Sequence, residues 1–363
     1  MGWSEETIFF KTSDIFDSFI KDCQNARESI WIEVFSLEDG KLLKSILPAL
    51  VDASERGVDV RIIMDAVGSM DTNKSFLDKY SKIKLRQFRP IITNLFNINR
   101  RNHRKLFLFD QEVAYVGSSN IDDMSFYWRE SAVRLKGSSV DLLVHSYYKS
   151  WQRVDLEDQT LLDRIKNKTK SLFETFNFKK MIEHQILLTD NSFDRIKAKR
   201  FWLNRIKKAR KCIEITTPYF VPTLTIYAAL VKAAKRGVEV TVLFPAKVNS
   251  DFPFIKNIER YYIESLLKHG VKFYEYLPQM IHAKVCLFDN QVIIGSSNWN
   301  HRSSQLDMEL DVILTKKHSY KVVKDNFQAD LKQSYEITLS NFPRVNFIQK
   351  IFFRLVMFLR YWF

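Results

Sequence analysis

Residues 103–120 read HRKLFLFDQEVAYVGSSN, and residues 282–298 read HAKVCLFDNQVIIGSSN. Each stretch holds the pattern H-x-K-x4-D followed by G-S-S-N, and the likeness continues outward in register. Upstream, Ala26-Arg27-Glu28-Ser29-Ile30 returns as Ala209-Arg210-Lys211-Cys212-Ile213. Ala49-Leu50-Val51 leading to Arg56-Gly57-Val58-Asp59-Val60 returns as Ala229-Leu230-Val231 leading to Arg236-Gly237-Val238-Glu239-Val240. From Ala26, Ala49, His103 and Gly117 the offsets to the second copy are 183, 180, 179 and 178 residues. Ordered matches at a nearly constant offset identify one duplicated unit, and repeats outrank other local signals in fixing an architecture.

Within each copy, strand and helix patterns alternate. Residues 30–35 are apolar and β-rich, 40–56 carry a helical pattern ended by Gly57, and 58–64 form the next strand. The second copy repeats the order at 212–217, 223–236 and 238–244. Residues 105–110 and 113–116 predict a strand pair turned at Gln111-Glu112, matched by 284–289 and 292–294. The expected class is therefore α/β, with two tandem units that each carry a mixed, largely parallel β-sheet flanked by helices. The units are expected at 1–154 and 191–342. Residues 155–190 lack the repeated landmarks and read as a connector, and 343–363 form a tail.

Composition narrows the partners. The 363 residues are 46% hydrophobic and 27% charged, with only 9 Gly and 8 Pro, which excludes a fibrous or disordered chain. A formal net charge of +14 favours a polyanionic partner such as nucleic acid, an acidic membrane or a phosphorylated substrate. Cys23, Cys212 and Cys286 are far apart with no C-x-x-C spacing, so neither a disulfide framework nor a cysteine zinc site is expected. The opening MGWSEE has no basic region followed by an apolar core, and no run of 18 apolar residues occurs. No secretory signal and no membrane-spanning helix are expected.

Two residues apart on a strand, His103 and Lys105 point to the same side, as do His282 and Lys284. An imidazole beside an ammonium, with Ser118, Asn120, Ser296 and Asn298 following, suits a phosphodiester. The imidazole can attack phosphorus or move a proton, and the donors hold non-bridging oxygens as charge builds. Two copies supply two imidazoles, one to attack and one to protonate the departing oxygen. The histidines lack the close His/carboxylate spacing of a zinc helix, so no metal and no cofactor are expected. Asp110 and Asp289 close each motif and are expected to organise the turns that follow.

The doubled motif resembles the phospholipase D superfamily over nearly the whole chain, from about residue 26 to residue 311. Arg100-Arg101-Asn102-His103-Arg104-Lys105, Thr217-Pro218-Tyr219-Phe220-Val221-Pro222, Arg260-Tyr261-Tyr262 and Met280-Ile281-His282-Ala283-Lys284 are similar to the bacterial-type cardiolipin synthases within it. The run from Gly295 through Arg302-Ser303 to Glu309 belongs to the same set. The resemblance implies two units related by a pseudo-two-fold axis around one shared site. It also implies a covalent phosphatidyl-histidine intermediate, with His103 as nucleophile, His282 as general acid and base, and Lys105 and Lys284 on the phosphate. The substrate implied is an anionic phospholipid, phosphatidylglycerol. Glu130 and Glu309 each follow their motif histidine by 27 residues, and by resemblance each orients the histidine of the opposite half. Three positions depart from the pattern: Ser118 stands where a second glycine is common, Asn300 where Asp is usual, and Asp307 where Asn is usual. A hydrolase or nuclease of the same superfamily, or an inactive membrane-binding scaffold, are the alternatives. An intact His and Lys in both copies disfavour the scaffold.

The tail contains FIQKIFFRLVMFLRYWF at 347–363, whose longest uninterrupted apolar run is 355–359. On a helix Lys350, Arg354 and Arg360 share one side, with aromatic and aliphatic residues including Trp362 over the rest. This is the pattern of a helix lying in the headgroup layer of an anionic membrane. The expectation is peripheral attachment on the cytoplasmic side, with lipid favoured over nucleic acid as partner.

Overall fold

The first unit of the computed structural model runs β1 (Glu5–Phe9), α1 (Thr12–Asn25), β2 (Ser29–Val34), α2 (Lys41–Glu55), β3 (Asp59–Asp65), β4 (Lys84–Phe88), β5 (Leu106–Phe109), β6 (Val113–Gly117), α3 (Asp123–Tyr127), β7 (Ala132–Lys136) and α4 (Val140–Glu157). The second runs β8 (Ile186–Leu188), α5 (Ser192–Lys208), β9 (Cys212–Thr216), α6 (Leu224–Lys235), β10 (Glu239–Pro245), α7 (Ile255–Leu267), β11 (Lys272–Tyr276), β12 (Val285–Phe288), β13 (Gln291–Gly295), α8 (His301–Gln305), β14 (Leu310–Leu314), α9 (Lys317–Lys332) and β15 (Ser334–Ile337). The structure describes residues 2–70, 72, 79–89, 99–157, 182, 185–250 and 255–342. The tail, with Lys350, Arg354, Arg360 and Trp362, and most of the connector lie outside these residues. The connector's last residues do not: β8 pairs antiparallel with β14 at the edge of the second sheet.

The strand orders are β1-β7-β6-β5-β2-β3-β4 and β15-β11-β10-β9-β12-β13-β14-β8. Both sheets are mixed, as expected, but their parallel character is confined to β2-β3-β4 and β9-β10-β11. The remaining neighbours, including the motif hairpins β5-β6 and β12-β13, run antiparallel. The physical reason is the connection. A helical crossover returns the chain in the same direction, whereas the tight turns after Asp110 and Asp289 reverse it.

Local chemistry explains the crossovers. Helix α2 buries Leu42, Leu43, Ile46, Leu47, Leu50 and Ala53, one stripe repeating at helical spacing. It stops where Gly57 takes a left-handed conformation, φ +93°, with Gly57 N–H bonded to Ser54 O and Val58 N–H to Ala53 O. Gly237 ends α6 the same way, with φ +84°. This paired closure satisfies carbonyls that a helix end otherwise leaves open, and a residue without Cβ adopts it without strain. The two sheets then share one hydrophobic core: Leu106, Leu108, Val116 and Val133 pack with Val285, Leu287, Ile294 and Leu310. The helices α1–α2 and α5–α6 cover the outer faces with separate cores. Packing sheet face to sheet face brings the ends of β6 and β13 together, and with them the two G-S-S-N segments.

Candidate active site

The histidines do not sit on regular strands, as the spacing predicted, but in extended lead-ins to β5 and β12. Each lead-in is held by the other unit. Asn102 makes a parallel bridge to Met308, with His103 N–H donating to Met308 O at 3.0 Å and Met308 N–H to Arg101 O at 2.9 Å. Ile281 bridges Arg129 equivalently: Arg129 N–H donates to Met280 O at 2.8 Å and His282 N–H to Arg129 O at 2.9 Å. Met308 and Arg129 each immediately precede a glutamate. The bridges therefore deliver each histidine to the carboxylate of the opposite unit.

That carboxylate is within hydrogen-bond distance in both cases. His103 Nδ1 lies 3.0 Å from Glu309 Oε2, and His282 Nδ1 lies 2.7 Å from Glu130 Oε1. With Nδ1–H donated to a carboxylate, Nε2 carries the lone pair and can attack or take a proton. Both glutamates are fully buried, and each takes one more donor from its own unit, Ser118 Oγ to Glu130 and Ser296 Oγ to Glu309 at 2.5 Å. Ser118 and Ser296 were expected on the substrate. The structure instead spends their hydroxyls on the carboxylates and on Ser131 N–H and Leu310 N–H.

Burial dominates the electrostatics. It pushes His103 well below its ordinary value, and Lys105, Lys284, His282 and Arg302 add to the effect. Burial also lowers His282, with Lys284 and Lys105 acting in the same direction and Glu130 against it. Each imidazole thus feels the lysine of the other copy, so the two motifs share one electrostatic site. Burial raises the Glu309 carboxyl to about 7 despite Lys105 and Ser296. Burial pushes Glu130 up as well, but His282, Lys284 and Ser118 outweigh it and leave it at about 2. The lysines are anchored beside their own histidines. Lys105 Nζ donates to His103 O at 2.7 Å, and Lys284 Nζ lies 2.8 Å from His282 O and 2.7 Å from His282 Nε2. Burial lowers Lys105 to about 8.

Several supporting residues were not singled out by the sequence. Phe35 packs edge-on against the His103 ring, and Trp128 lies 4.9 Å from the His282 ring. Arg101 pairs with buried Asp65 at 2.8 Å, and Asn102 donates to Glu33 at 2.6 Å. Arg104 spans Glu33, Ser146 and Asp190. The charged run 100–105 carried the available signal, because buried charges need partners. Asp307 accepts from Arg101 N–H and Arg302 Nε, and Asn300 caps α8 through Ser303 N–H. These two departures from the family pattern, like the third at Ser118, thus have structural employment. Asn120 Oδ1 accepts from Ser36 N–H, and Asn298 N–H donates to Ser303 Oγ. Among the described residues no cluster of three or more His, Cys, Asp or Glu suited to a metal occurs.

Asp110 and Asp289 close the motifs that hold the histidines, but the geometry gives them the turns, as expected, and no place beside the imidazoles. Each lies at the far end of its strand, roughly 20 Å of extended chain from the histidine. Asp110 accepts from the backbone N–H groups of Arg27, Glu28 and Ser29, and Asp289 from Arg210, Lys211 and Cys212. Both adopt positive φ, 49° and 51°. They fasten the start of the central strand, β2 or β9, to the motif hairpin.

Comparison with known proteins places this geometry. A family model described as "Cardiolipin synthase, PLD-like domain" matches residues 19–153 and 202–331. A cardiolipin synthase of Listeria monocytogenes is 29% identical over 347 residues, covering 92% of this chain and 70% of the relative. One from Clostridium perfringens is 29% identical over 356 residues, covering 95% and 74%. Among solved structures, the phosphatidylserine synthase of Haemophilus influenzae superposes with a TM-score of 0.73 at 14% identity, over 98% of this chain and 94% of that one, and so shares the fold.

Because Asp110 anchors backbone and does not touch the imidazoles, Asp110→Asn should lower stability by about 1–2 kcal/mol. The ring 15N resonances of His103 and His282 should stay in place. Unchanged thermal unfolding combined with displaced ring signals would assign Asp110 to the site after all.

Proposed function

The chain belongs to the PLD-like cardiolipin synthase family and is a phosphodiester-cleaving phosphatidyltransferase of that kind. From this premise we propose that His103 is its nucleophile, His282 its proton carrier, and phosphatidylglycerol both donor and acceptor. The observation that carries the reading is the reciprocal pairing of each motif histidine with a buried glutamate of the other unit. The units are proposed to span 1–154 and 191–342, with the second taking its edge strand from 186–188.

His103 Nε2 attacks the phosphorus of the first phosphatidylglycerol. The bond from phosphorus to the glycerol oxygen breaks, and that oxygen leaves with a proton from His282. In the second half, the terminal hydroxyl of another phosphatidylglycerol gives its proton to His282 while its oxygen bonds phosphorus. The phosphorus–nitrogen bond breaks and His103 is restored. The products are cardiolipin and glycerol. Geometry supports His103 in the attacking role: among the described residues nothing bonds its Nε2, whereas His282 Nε2 is met by Lys284. His103 is also the more accessible ring, 13% against 6% exposed. Lys105 and Lys284 hold the non-bridging oxygens, and the amide groups of Asn120 and Asn298 flank them. The phosphate's negative charge opposes the repulsion between lysine and imidazole, so a bound substrate raises His282 toward the protonated form that a general acid needs.

No helix among the described residues is long and apolar enough to cross a membrane. We assign membrane contact to residues 343–363, with Lys350, Arg354 and Arg360 toward anionic headgroups and Trp362 in the interface. Each basic residue near such a surface contributes about 1 kcal/mol. Removing 346–363 should move the protein from sedimenting phosphatidylglycerol vesicles to the supernatant, and unaltered co-sedimentation would reject the assignment.

Purified protein in phosphatidylglycerol vesicles should yield cardiolipin and glycerol, resolved by mass. Phosphatidic acid in place of cardiolipin would make the chain a hydrolase. His103→Ala and His282→Ala should each lower the rate by about 10³-fold or more, and near-normal turnover by either would refute the roles. Both imidazoles are held below their ordinary value, so the neutral nucleophile persists into mild acid. Accordingly the acidic limb of kcat/KM, set by protonation of His103, should have its midpoint below 6.5, and an acidic limb centred at 6.5 would contradict the buried geometry.

A further inference from the structure

The two units treat one helix differently. Helices α1 and α5 occupy matching places, ending at Ala26 and Ala209, and each cap N–H bonds to the carbonyl four residues back. At the 183-residue offset, Thr12, Ile15, Phe16 and Phe19 correspond to Arg195, Ala198, Lys199 and Trp202. In the first unit those four side chains are closed core, each 3% exposed or less. In the second, Ile15 is replaced by Ala198 and Phe16 by Lys199, and a half-open cavity of about 50 Å³ lies between α5, α6 and the segment after β13. A duplicated unit that filled this space once and vacates it in the other copy has exchanged packing for room.

The lining has two chemistries. Ala198, Trp202, Pro222 and Ile226 present apolar surface, whereas Arg195 and Lys199 supply positive charge. Arg195 is 7% exposed, and its Nη1 donates to Thr189 O at 3.0 Å and Leu306 O at 3.3 Å. Among the described residues its Nε and Nη2 meet no hydrogen-bond acceptor, and Lys199 has no ion-pair partner. The carboxylates of Asp190 and Asp307 act on the Arg195 charge, but its Nε and Nη2 stay unspent at the cavity, and such donors suit an anion. The cavity also reaches the catalytic centre, through Asn298 and through Thr189. Thr189, whose carbonyl Arg195 holds, accepts from Glu309 N–H at 2.8 Å through its hydroxyl, and Glu309 bonds His103.

We propose that this cavity receives the acceptor phospholipid, with its phosphate on Arg195 and Lys199 and its apolar portion along Trp202 and Ile226. The inference rests on the phosphatidyl-transfer reading above and deepens it. Joining two phosphatidylglycerol molecules requires the acceptor's terminal hydroxyl at the donor phosphorus while its own phosphate lies one glycerol away. A hydrolase has no need of that second anion site, and the catalytic lysines are already committed to the first phosphate. The acceptor oxygen bonds phosphorus as the phosphorus–nitrogen bond to His103 breaks, and its proton passes to His282, so the cavity positions the acceptor without entering the chemistry.

Two reactions of the full-length protein in phosphatidylglycerol vesicles separate the sites. Exchange of labelled glycerol into phosphatidylglycerol uses the donor site alone, whereas cardiolipin formation uses both. Ala198→Ile with Lys199→Phe, which restores the filling found in the first unit, should cut cardiolipin formation at least tenfold while exchange falls less than threefold. Lys199→Gln should raise the phosphatidylglycerol KM for cardiolipin formation at least threefold, again sparing exchange, and it decides the matter if the double variant does not fold. Equal losses in both reactions, or no loss in either, would overturn the acceptor assignment and leave the transferase reading standing. A wild-type protein that performs neither reaction sinks the transferase reading itself, and the cavity's role with it.

Discussion

Of the hydrogen bonds that cross between the units, those of Glu309 with His103 and of Glu130 with His282 make the site, which exists only while both are formed. The carboxylates are wholly buried in the assembled chain, where a glutamate lacking its imidazole would be a costly arrangement. Pairing across the units removes that cost and sets the imidazole tautomer in the same act. Short parallel bridges, Asn102 to Met308 and Ile281 to Arg129, fix the register in which this happens. The shared core of β5, β6, β12 and β13 holds the sheets face to face behind them. Assembly of the halves and assembly of the chemistry are therefore one event.

Symmetry of sequence has not produced symmetry of charge. Glu130 is held at about 2 and Glu309 is raised to about 7, and only His282 has its Nε2 met by its lysine. A displacement with one attacking and one proton-carrying imidazole needs such a difference. The second unit diverges again at α5, where smaller and charged residues replace a packed aromatic face. Duplication supplied matched parts, and a few substitutions gave them separate tasks.

Much of this was legible in the chain. The constant offset revealed the duplication, Gly57 and Gly237 marked helix ends, and the equal spacing of Glu130 and Glu309, read with the resemblance, anticipated the crossed pairs. The proportion of parallel strands was misjudged because crossovers are conspicuous in sequence while hairpins beside them reverse direction with little signal. Ser118 and Ser296 were set on the substrate because a hydroxyl near an imidazole does not reveal which anion it serves, and here the nearer one is a buried carboxylate. Asp110 and Asp289 share a motif with the histidines, yet five or more residues of extended strand carry them away from the site. Asp65, Glu33 and Phe35 were missed since their importance comes only from what the fold places opposite them.

The crossed pairing is tested most directly by ring 15N and Nδ1–H resonances of the two histidines in Glu309→Gln and Glu130→Gln. Glu309→Gln should move the His103 signals and leave His282 essentially in place, and Glu130→Gln should do the reverse. If each substitution instead disturbs the histidine of its own unit, the carboxylates do not cross, and the single shared site does not exist.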